Sequence, residues 1–215
     1  AAAARSFAAS LDIARSHPPS HEDLCEVESL RVFVSRALLR EEGQRQSFDR
    51  ALAACRTATV IDPESGRAEL LLALTHYRQA QNQIEAGADP RPSLASAIQG
   101  SQRALSLSGR SGTVYELLAL ASTMLAEYEG THGGDPQAAL DDAIRYAQRA
   151  AAESPNDVAK RRSSALAWYQ RALYEKERGL DPRAALEEVV RLTHRAIELA
   201  PQDYDHYNDL ACAYG

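Results

Sequence analysis

The 215-residue sequence lacks long apolar stretches and an excess of positive charge. It contains no run of about 18 apolar residues, so it predicts no transmembrane helix. The 24 Lys and Arg residues are outnumbered by 30 Asp and Glu residues, which gives a net charge of −6. Phosphate binding needs a basic surface, so we expect no nucleic-acid partner. The opening AAAARSFAAS lacks the order and length of a secretory signal.

Cysteine and lysine are scarce. The cysteines Cys25, Cys55 and Cys212 are odd in number and widely spaced. This pattern predicts reduced thiols in a cytosol-like compartment, and therefore a cytoplasmic protein. Lys160 and Lys176 are the only lysines, so 22 of the 24 basic residues are Arg. Such a bias towards Arg, together with many alanines, indicates a GC-rich and bacterial genome.

Recognisable catalytic patterns are missing. No Ser, Cys or Thr lies in a nucleophile elbow or a triad motif. Gly130, Gly133 and Gly134 surround His132, but the Lys-Ser/Thr pair of a phosphate loop does not follow. We interpret this segment as a flexible turn. The sequence therefore predicts neither an enzyme nor a cofactor.

Two spacings resemble metal sites but fail in detail. His17 and His21 are four residues apart, yet two prolines between them disfavour a shared helical face. The acidic run 203–209 resembles an EF-hand loop, but Asn208 and Tyr214 occupy the positions that need Gly and Glu. We interpret these acidic residues as favourable charges at a helix N-terminus, and we predict no metal.

What the sequence does contain is a fixed spacing. Asp-Pro occurs at 89–90, 135–136 and 181–182, in steps of 46 residues. A period of this size predicts one supersecondary unit that is used repeatedly. Further residues share the register: Gly87, Gly133 and Gly179; Leu94, Leu140 and Leu186; Arg103, Arg149 and Arg195; Ala73, Ala119, Ala165 and Ala211; Ala104, Ala150 and Ala196; and the helix-stopping Pro63, Gly109, Pro155 and Pro201.

Each unit is predicted to be a helix, a short turn and a second helix. Apolar residues at helical spacing predict helices over 68–84 and 91–107. Gly87 suits the left-handed residue that ends a helix. Asp89 can accept hydrogen bonds from the next helix, and Pro90 fits its first position. The recurring alanines would let neighbouring helices approach closely, and Trp168 is expected to pack between helices.

The unit resembles a tetratricopeptide repeat. That family has Leu and a small residue in the first helix, Ala early and late in the second, and Pro just after it. Leu118, Ala119, Ala143, Ala150 and Pro155 match this order. The family repeat has 34 residues, so about 12 residues would be inserted near the turn, lengthening the first helix by two to three turns. HEAT, armadillo and Sel1-like repeats are the alternatives.

The resemblance implies an all-α fold, a right-handed α-solenoid of antiparallel helix pairs. We expect one such solenoid over 1–215, cut as a window from a longer protein. Leu210 and Cys212 form an unfinished packing face, which would allow self-association through exposed terminal repeats. Helices are also expected over 3–16 and 21–42. The units are 1–19 (a degenerate second helix closed by two prolines), 20–63, 64–109, 110–155, 156–201 and 202–215 (a partial first helix).

In tetratricopeptide proteins the first helices line a concave groove in which extended or helical peptides dock. The resemblance therefore implies a protein or peptide partner. The family's Lys–Asn clamp for a peptide carboxylate is not reproduced, because Leu70 with Leu74 and Arg162 with Leu166 hold those positions. The candidate groove residues are Leu70, Leu71, Leu74, Tyr77, Arg78, Glu116, Leu117, Leu120, Met124, Arg162, Ser163, Leu166, Tyr169, Gln170, Asn208 and Asp209.

Three functions compete at this point. We favour a protein–protein interaction scaffold, because Arg and Tyr scattered among apolar residues are typical interface anchors. The second is a regulatory region of a larger bacterial signalling protein, since these repeats resemble those of bacterial Ser/Thr protein kinases. No HRD or DFG motif occurs, so kinase activity is not expected here. The third is a helical enzyme or small-molecule sensor with a pocket between repeats.

Overall fold

The computed structural model describes residues 18–38 and 41–214, and within these ranges every regular element is an α-helix. The helices form antiparallel neighbours in the pairs α1–α2, α3–α4, α5–α6 and α7–α8, and α9 contacts α8. Their bounds are α1 Pro18–Leu38, α2 Glu41–Ile61, α3 Gly66–Glu85, α4 Arg91–Ser108, α5 Gly112–Thr131, α6 Gln137–Glu153, α7 Val158–Glu177, α8 Arg183–Leu199 and α9 Tyr204–Tyr214.

The chain divides into two compact units, Ala1–Gly109 and Arg110–Gly215. In the first unit, α3 contacts both α1 and α2. In the second unit, α7 contacts both α5 and α6 in the same way. Within each unit, the first helix of one pair therefore packs on both helices of the preceding pair, which is the stacking expected of a helical repeat.

The three Asp-Pro joints have one geometry. The predicted role of Gly is confirmed, and each Asp bonds the next helix as predicted but from the position before its N-cap. Each glycine has a positive φ, a conformation that favours a residue without a Cβ. Each Asp side chain accepts a hydrogen bond from the backbone N–H two residues later. The φ values are 68° at Gly87, 79° at Gly133 and 70° at Gly179. The hydrogen-bond lengths are 3.0 Å from Arg91, 3.1 Å from Gln137 and 3.1 Å from Arg183.

The prolines stand one position earlier than predicted. Pro90 lies at the N-cap of α4 rather than at its first residue, with a helical φ of −85° and ψ of −10°. Its carbonyl oxygen already accepts a hydrogen bond from the Leu94 N–H at 2.9 Å. Because Pro has no N–H to leave unsatisfied, it fits either position.

Both helices of each pair are long. The first helices α3, α5 and α7 have 20 residues each. The second helices α4, α6 and α8 have 18, 17 and 17. One such pair holds more helical residues than a whole 34-residue tetratricopeptide unit. The expectation that the first helix alone takes up the additional length is therefore wrong, because the second helix is nearly as long.

The N-terminal boundaries also differ from the sequence-based expectation. The helix expected over 21–42 is α1, Pro18–Leu38, and residues 41 and 42 instead belong to α2. Two prolines at the start of α1 are compatible with a helix, because the first positions need no N–H donor. The helix expected over 3–16 lies outside the described residues.

Cys25 of α1 and Cys55 of α2 form a disulfide, so the prediction of reduced thiols is wrong for this pair. Two adjacent antiparallel helices bring the cysteines, 30 residues apart in sequence, to a Cα–Cα distance of 4.5 Å. Both cysteines belong to one buried cluster with Leu71 of α3, so the bond lies in the core of the first unit. Disulfides are typical of oxidising compartments, and these cysteines no longer support a cytosol-like one.

The second unit has its own core. Trp168 of α7 packs against Ala165, Val189 and Leu192, as predicted for a residue between helices. Ala119 of α5 is fully buried, in keeping with close helix packing. Across the part of the chain that the structure describes, no helix is both long and apolar enough to cross a membrane.

Candidate partner-binding groove

A cavity of about 420 Å³ lies in the second unit, between α5, α7, α8 and α9. One face of α7 supplies most of its wall, at spacings of three or four residues that bring side chains to the same side of a helix. We name this surface the α7 groove. It is lined by Glu116, Leu120, Ala159, Arg162, Ser163, Ala165, Leu166, Tyr169, Val189 and Asp209.

The start of α7 is fixed by Asp157, whose side chain accepts a hydrogen bond from the Lys160 backbone N–H. From there, the small Ala159 and Ser163 leave space at one end of the groove. Leu166, one helical turn further along, is 43 % exposed. Tyr169 lies a turn beyond it and is half-buried. The wall thus presents apolar surface to solvent over about two turns of helix.

Arg162 is held by two carboxylates of α9. Its Nε lies 3.0 Å from Asp209 and its Nη1 lies 2.7 Å from Asp205. Burial by itself lowers the pKa of Arg162, but hydrogen bonds and charge from Asp205 and Asp209 raise it overall. The guanidinium therefore stays charged, and both of its contacts tie α7 to α9.

Lys160 forms a second charged cluster beside the groove. Its Nζ donates to the Asp157 carboxylate and lies 3.6 Å from Oε2 of Glu116. Burial raises the pKa of Glu116, although the charge of Lys160 opposes that shift. A Cβ at Gly112 would lie 3.1 Å from Cε of Lys160. Glycine at that position therefore leaves room for the buried lysine stem.

The structure brings together seven of the residues predicted from the register. They are Glu116, Leu120, Arg162, Ser163, Leu166, Tyr169 and Asp209. Leu117 is instead buried in the core, and we leave it out of the groove. Met124, Gln170 and Asn208 are not among the lining residues. Whether the lining residues bind a partner stays a prediction.

Three lining residues were missed. Ala159 and Ala165 lie on the same helix as Arg162, but their small side chains carry no distinctive chemistry. Val189 comes from the second helix α8, whereas the resemblance pointed to first helices alone. Helical spacing from Arg162 could have identified Ala159, since the two are three residues apart. Nothing in the sequence pattern indicated Val189.

The remaining five predicted residues belong to the first unit. Leu71 lies in the core with the disulfide. Arg78 Nη1 donates to Ser29 Oγ at 2.7 Å, and burial lowers the pKa of Arg78 although Glu26 opposes this. The other three predicted residues, Leu70, Leu74 and Tyr77, are half-buried. Among the described residues, no group of three or more His, Cys, Asp or Glu is placed to hold a metal ion.

Comparison with known proteins identifies the fold. Neither a protein-family model nor a curated protein sequence matches the chain. Human IFIT1, solved as a dimer with m7Gppp-AAAA, is similar over 98% of this chain, with a TM-score of 0.64 and 17% identity. YrrB, a TPR protein with an unusual peptide-binding site, is similar over 99% of it, with a TM-score of 0.56 and 16% identity.

This chain spans 41% of the IFIT1 chain and 84% of the YrrB chain. At identities this low the likeness concerns the fold alone. Together with the helix pairs described above, it confirms the predicted fold class. The chain has an all-α helical-repeat fold similar to that of these TPR-type structures.

Proposed function

We propose that this chain is a protein–protein interaction scaffold and that the α7 groove binds a segment of a partner protein. The observation that carries the proposal is the composition of the groove. Exposed Leu166 and half-buried Tyr169 lie beside charges that are fixed by ion pairs. Apolar anchors with a polar rim are typical of protein interfaces.

The shape of the groove supports a peptide-like ligand. Side chains of α7 line it from Ala159 to Tyr169, a span of about 15 Å at 1.5 Å per residue. A partner helix laid in such a groove contacts it through residues at intervals of three and four. The wall is mostly apolar and reaches solvent at Leu166, which counts against an enclosed enzymatic or small-molecule site. We propose no catalytic activity.

The two similar solved structures suggest two candidate classes of ligand. The peptide-binding site of YrrB supports a peptide for this chain. IFIT1 was solved with m7Gppp-AAAA. In this chain, however, the net charge is −6 and Glu116, Asp205 and Asp209 stand at one end of the groove. Carboxylates repel phosphates, so we propose a protein partner and no nucleic acid.

The finer assignment is also part of the proposal. Helices α3, α5 and α7 begin 46 residues apart, at Gly66, Gly112 and Val158. We interpret the pairs as a lengthened variant of the tetratricopeptide repeat, with first helices on the binding side. Self-association through terminal repeats remains a prediction, and size-exclusion chromatography with light scattering over a range of protein concentrations tests it.

A second setting is compatible with the same groove, namely a regulatory region of a larger bacterial signalling protein such as a Ser/Thr protein kinase. Its support is the sequence resemblance, and the full-length gene tests it. The cytoplasmic location predicted from the cysteines is not carried into the proposal. The disulfide between Cys25 and Cys55 favours an oxidising compartment instead.

A displayed library of random peptides, selected on the immobilised protein, tests the proposal. We expect peptides that bind the wild type and lose binding to the Leu166→Glu variant, because a charge would stand in the apolar wall. Leu180→Glu is the matched control, since Leu180 is 56% exposed in the turn before α8. Circular dichroism confirms that each variant is folded. Peptides that bind wild type and Leu166→Glu equally, or no peptides at all, would refute the proposal.

A further inference from the structure

Building on the proposed function, we infer that the α7 groove selects a positively charged amphipathic segment of a partner protein. Apolar side chains of that segment would contact Leu166 and Tyr169. A Lys or Arg side chain would lie at the end of the groove formed by Glu116 and Asp209. The inference comes from the charges at this end and from which of them are already paired.

The charged end of the groove is acidic. Four carboxylates stand there against two cations, which leaves an excess of two negative charges at neutral pH. The six charges form two groups of ion pairs, one around each cation. The carboxylates are those of Glu116, Asp157, Asp205 and Asp209, and the cations are Lys160 and Arg162.

Neither cation is available to an incoming anion. Arg162 already donates to Asp205 and Asp209, and Lys160 is buried against Asp157 and Glu116. A peptide carboxylate would have to displace one of these acids and would meet the remaining ones. This end of the groove therefore repels the carboxylate terminus of a peptide.

The carboxylates can accept more hydrogen bonds than they receive from these cations. A carboxylate has about four lone-pair sites on its two oxygens. One oxygen of Asp209 accepts from Arg162, and Oε2 of Glu116 is 3.6 Å from the Lys160 nitrogen. Charge-assisted hydrogen bonds are shorter than that, about 2.7–2.9 Å. A Lys or Arg side chain of a partner would offset the excess charge and fill this capacity.

The order of residues along α7 also sets a spacing in the ligand. Arg162 and Tyr169 are seven residues apart, which is about 10 Å along the helix axis. A helical ligand parallel to α7 would cover that distance with about seven residues. An extended one would need about three. A cation and an apolar anchor at one of these separations are expected in peptides that bind.

The composition of the selected peptides tests the inference separately from the proposed function. Peptides whose binding is lost with Leu166→Glu are sequenced and compared with the unselected library. We expect an excess of Lys and Arg over Asp and Glu. If groove-dependent peptides are recovered without that excess, the proposed function stands and the inference fails. If no groove-dependent peptide is recovered, both fail.

Charge-removing variants then test the site itself, with the tightest selected peptide made acetylated and amidated so that its ends carry no charge. Glu116→Gln with Asp209→Asn should weaken binding about twofold to fivefold per carboxylate, which is typical of exposed ion pairs. The same peptide with Gln in place of its Lys or Arg should not respond to this double variant. Equal losses for both peptides would overturn the inference.

Two further variants test whether the change in peptide binding is caused by loss of structure. Arg162→Gln removes a positive charge, so it should tighten binding of the basic peptide about twofold to fivefold, a gain that damage to the fold cannot produce. Glu188→Gln with Asp142→Asn carries the same chemical changes outside the lining residues and should leave binding unchanged. Loss of binding in an Arg162→Gln variant that circular dichroism shows to be folded would contradict the inference.

Discussion

One pair of positions carries different chemistry in the two units. In the first unit, Nε of Arg103 on α4 lies 2.8 Å from Oε1 of Glu69 on α3. In the second unit the positions 46 residues later hold Tyr115 and Arg149, and the guanidinium lies 5.7 Å from the ring centroid. The register thus fixes which positions meet, whereas residue type decides whether an ion pair or a cation–π contact forms there.

The neighbouring first helices differ as well. In the first unit, α3 is tied to α1 by the hydrogen bond from Arg78 to Ser29 and by ion pairs of Arg67 with Glu22, Asp23 and Glu26. In the described part of the second unit, a single ion pair of Lys160 with Glu116 joins α7 to α5, and both helices line the α7 groove. Similar helix pairs therefore support a tightly linked face in one unit and a candidate binding surface in the other.

We expect the largest loss of stability from removing the aromatic side chain of Tyr115 in the second unit. Tyr115 is buried and stacks on Tyr146 with ring centroids 6.5 Å apart. Tyr115→Ala should lower the free energy of unfolding by about 3–5 kcal/mol, because it leaves a cavity. Urea unfolding measures the loss. Tyr204→Ala is the control, since Tyr204 is 83% exposed and its loss should stay within about 0.5 kcal/mol. Equal losses would contradict the described core.

The disulfide should stabilise the first unit, and its removal should leave the second unit unaffected. Replacing Cys25 and Cys55 together by Ala opens a cross-link between residues 30 apart. We expect a loss of about 2–4 kcal/mol, because the unfolded chain regains freedom. Hydrogen exchange should quicken in α1–α3 and stay unchanged in α7 and α8. A reducing agent should reproduce the effect in the wild type, and unchanged exchange in α1–α3 would rule out the bond.

The Asp-Pro joints should respond alike in both units. Asp89 and Asp135 each accept a hydrogen bond from the second amide along, at 3.0 and 3.1 Å. Removing either carboxylate by substitution with Ala should cost about 1 kcal/mol, the usual net value of one hydrogen bond. Chemical denaturation of the two single variants measures both losses. A difference of more than about 1 kcal/mol between them would show that the joints are not equivalent.

The smallest effect concerns acid stability. The caps of α3, α5 and α7 are Ser65, Ser111 and Asp157, so only the last of these three titrates. A hydrogen bond from Lys160 lowers the pKa of Asp157 below its ordinary value of 3.8. The stabilisation is thus present above that value and is lost as the pH falls through the lowered pKa.

Asp157→Ser should therefore lose less stability on acidification than the wild type. Urea midpoints measured between pH 6 and pH 2 show the difference. The raised pKa of Glu116 acts in the opposite direction, since protonation relieves the cost of burying its charge. Glu116→Gln is the matched variant and should lose more stability than the wild type over the same range. Identical acid profiles for all three proteins would contradict these assignments.

The ends of the helices were predictable from the sequence, whereas the contacts between helices were not. Gly87 and Asp89 were assigned correctly because helix ends are set by neighbouring residues. The pairing of Cys25 with Cys55 depends on how two helices align, which a count of cysteines does not reveal. Likewise, the register placed Leu117 on the groove, and the packing of α5 buries it instead.

The charged residues of the groove were likewise predictable in position but not in their contacts. Arg162 was identified from its position on a first helix, but its two partners on α9 were not predicted to be partners. They lie 43 and 47 residues away in sequence, so only the contact between α7 and α9 brings them together. That contact decides whether Arg162 is free to bind a ligand.

Hydrogen–deuterium exchange with and without a selected peptide tests the α7 groove most directly. We predict slower exchange in the first half of α5 and along α7 when peptide is bound, with no change in α4 of the first unit. The Leu166→Glu variant should show no protection at the same peptide concentration. Protection confined to α6, or to the first unit, would place the binding surface elsewhere and contradict the proposal.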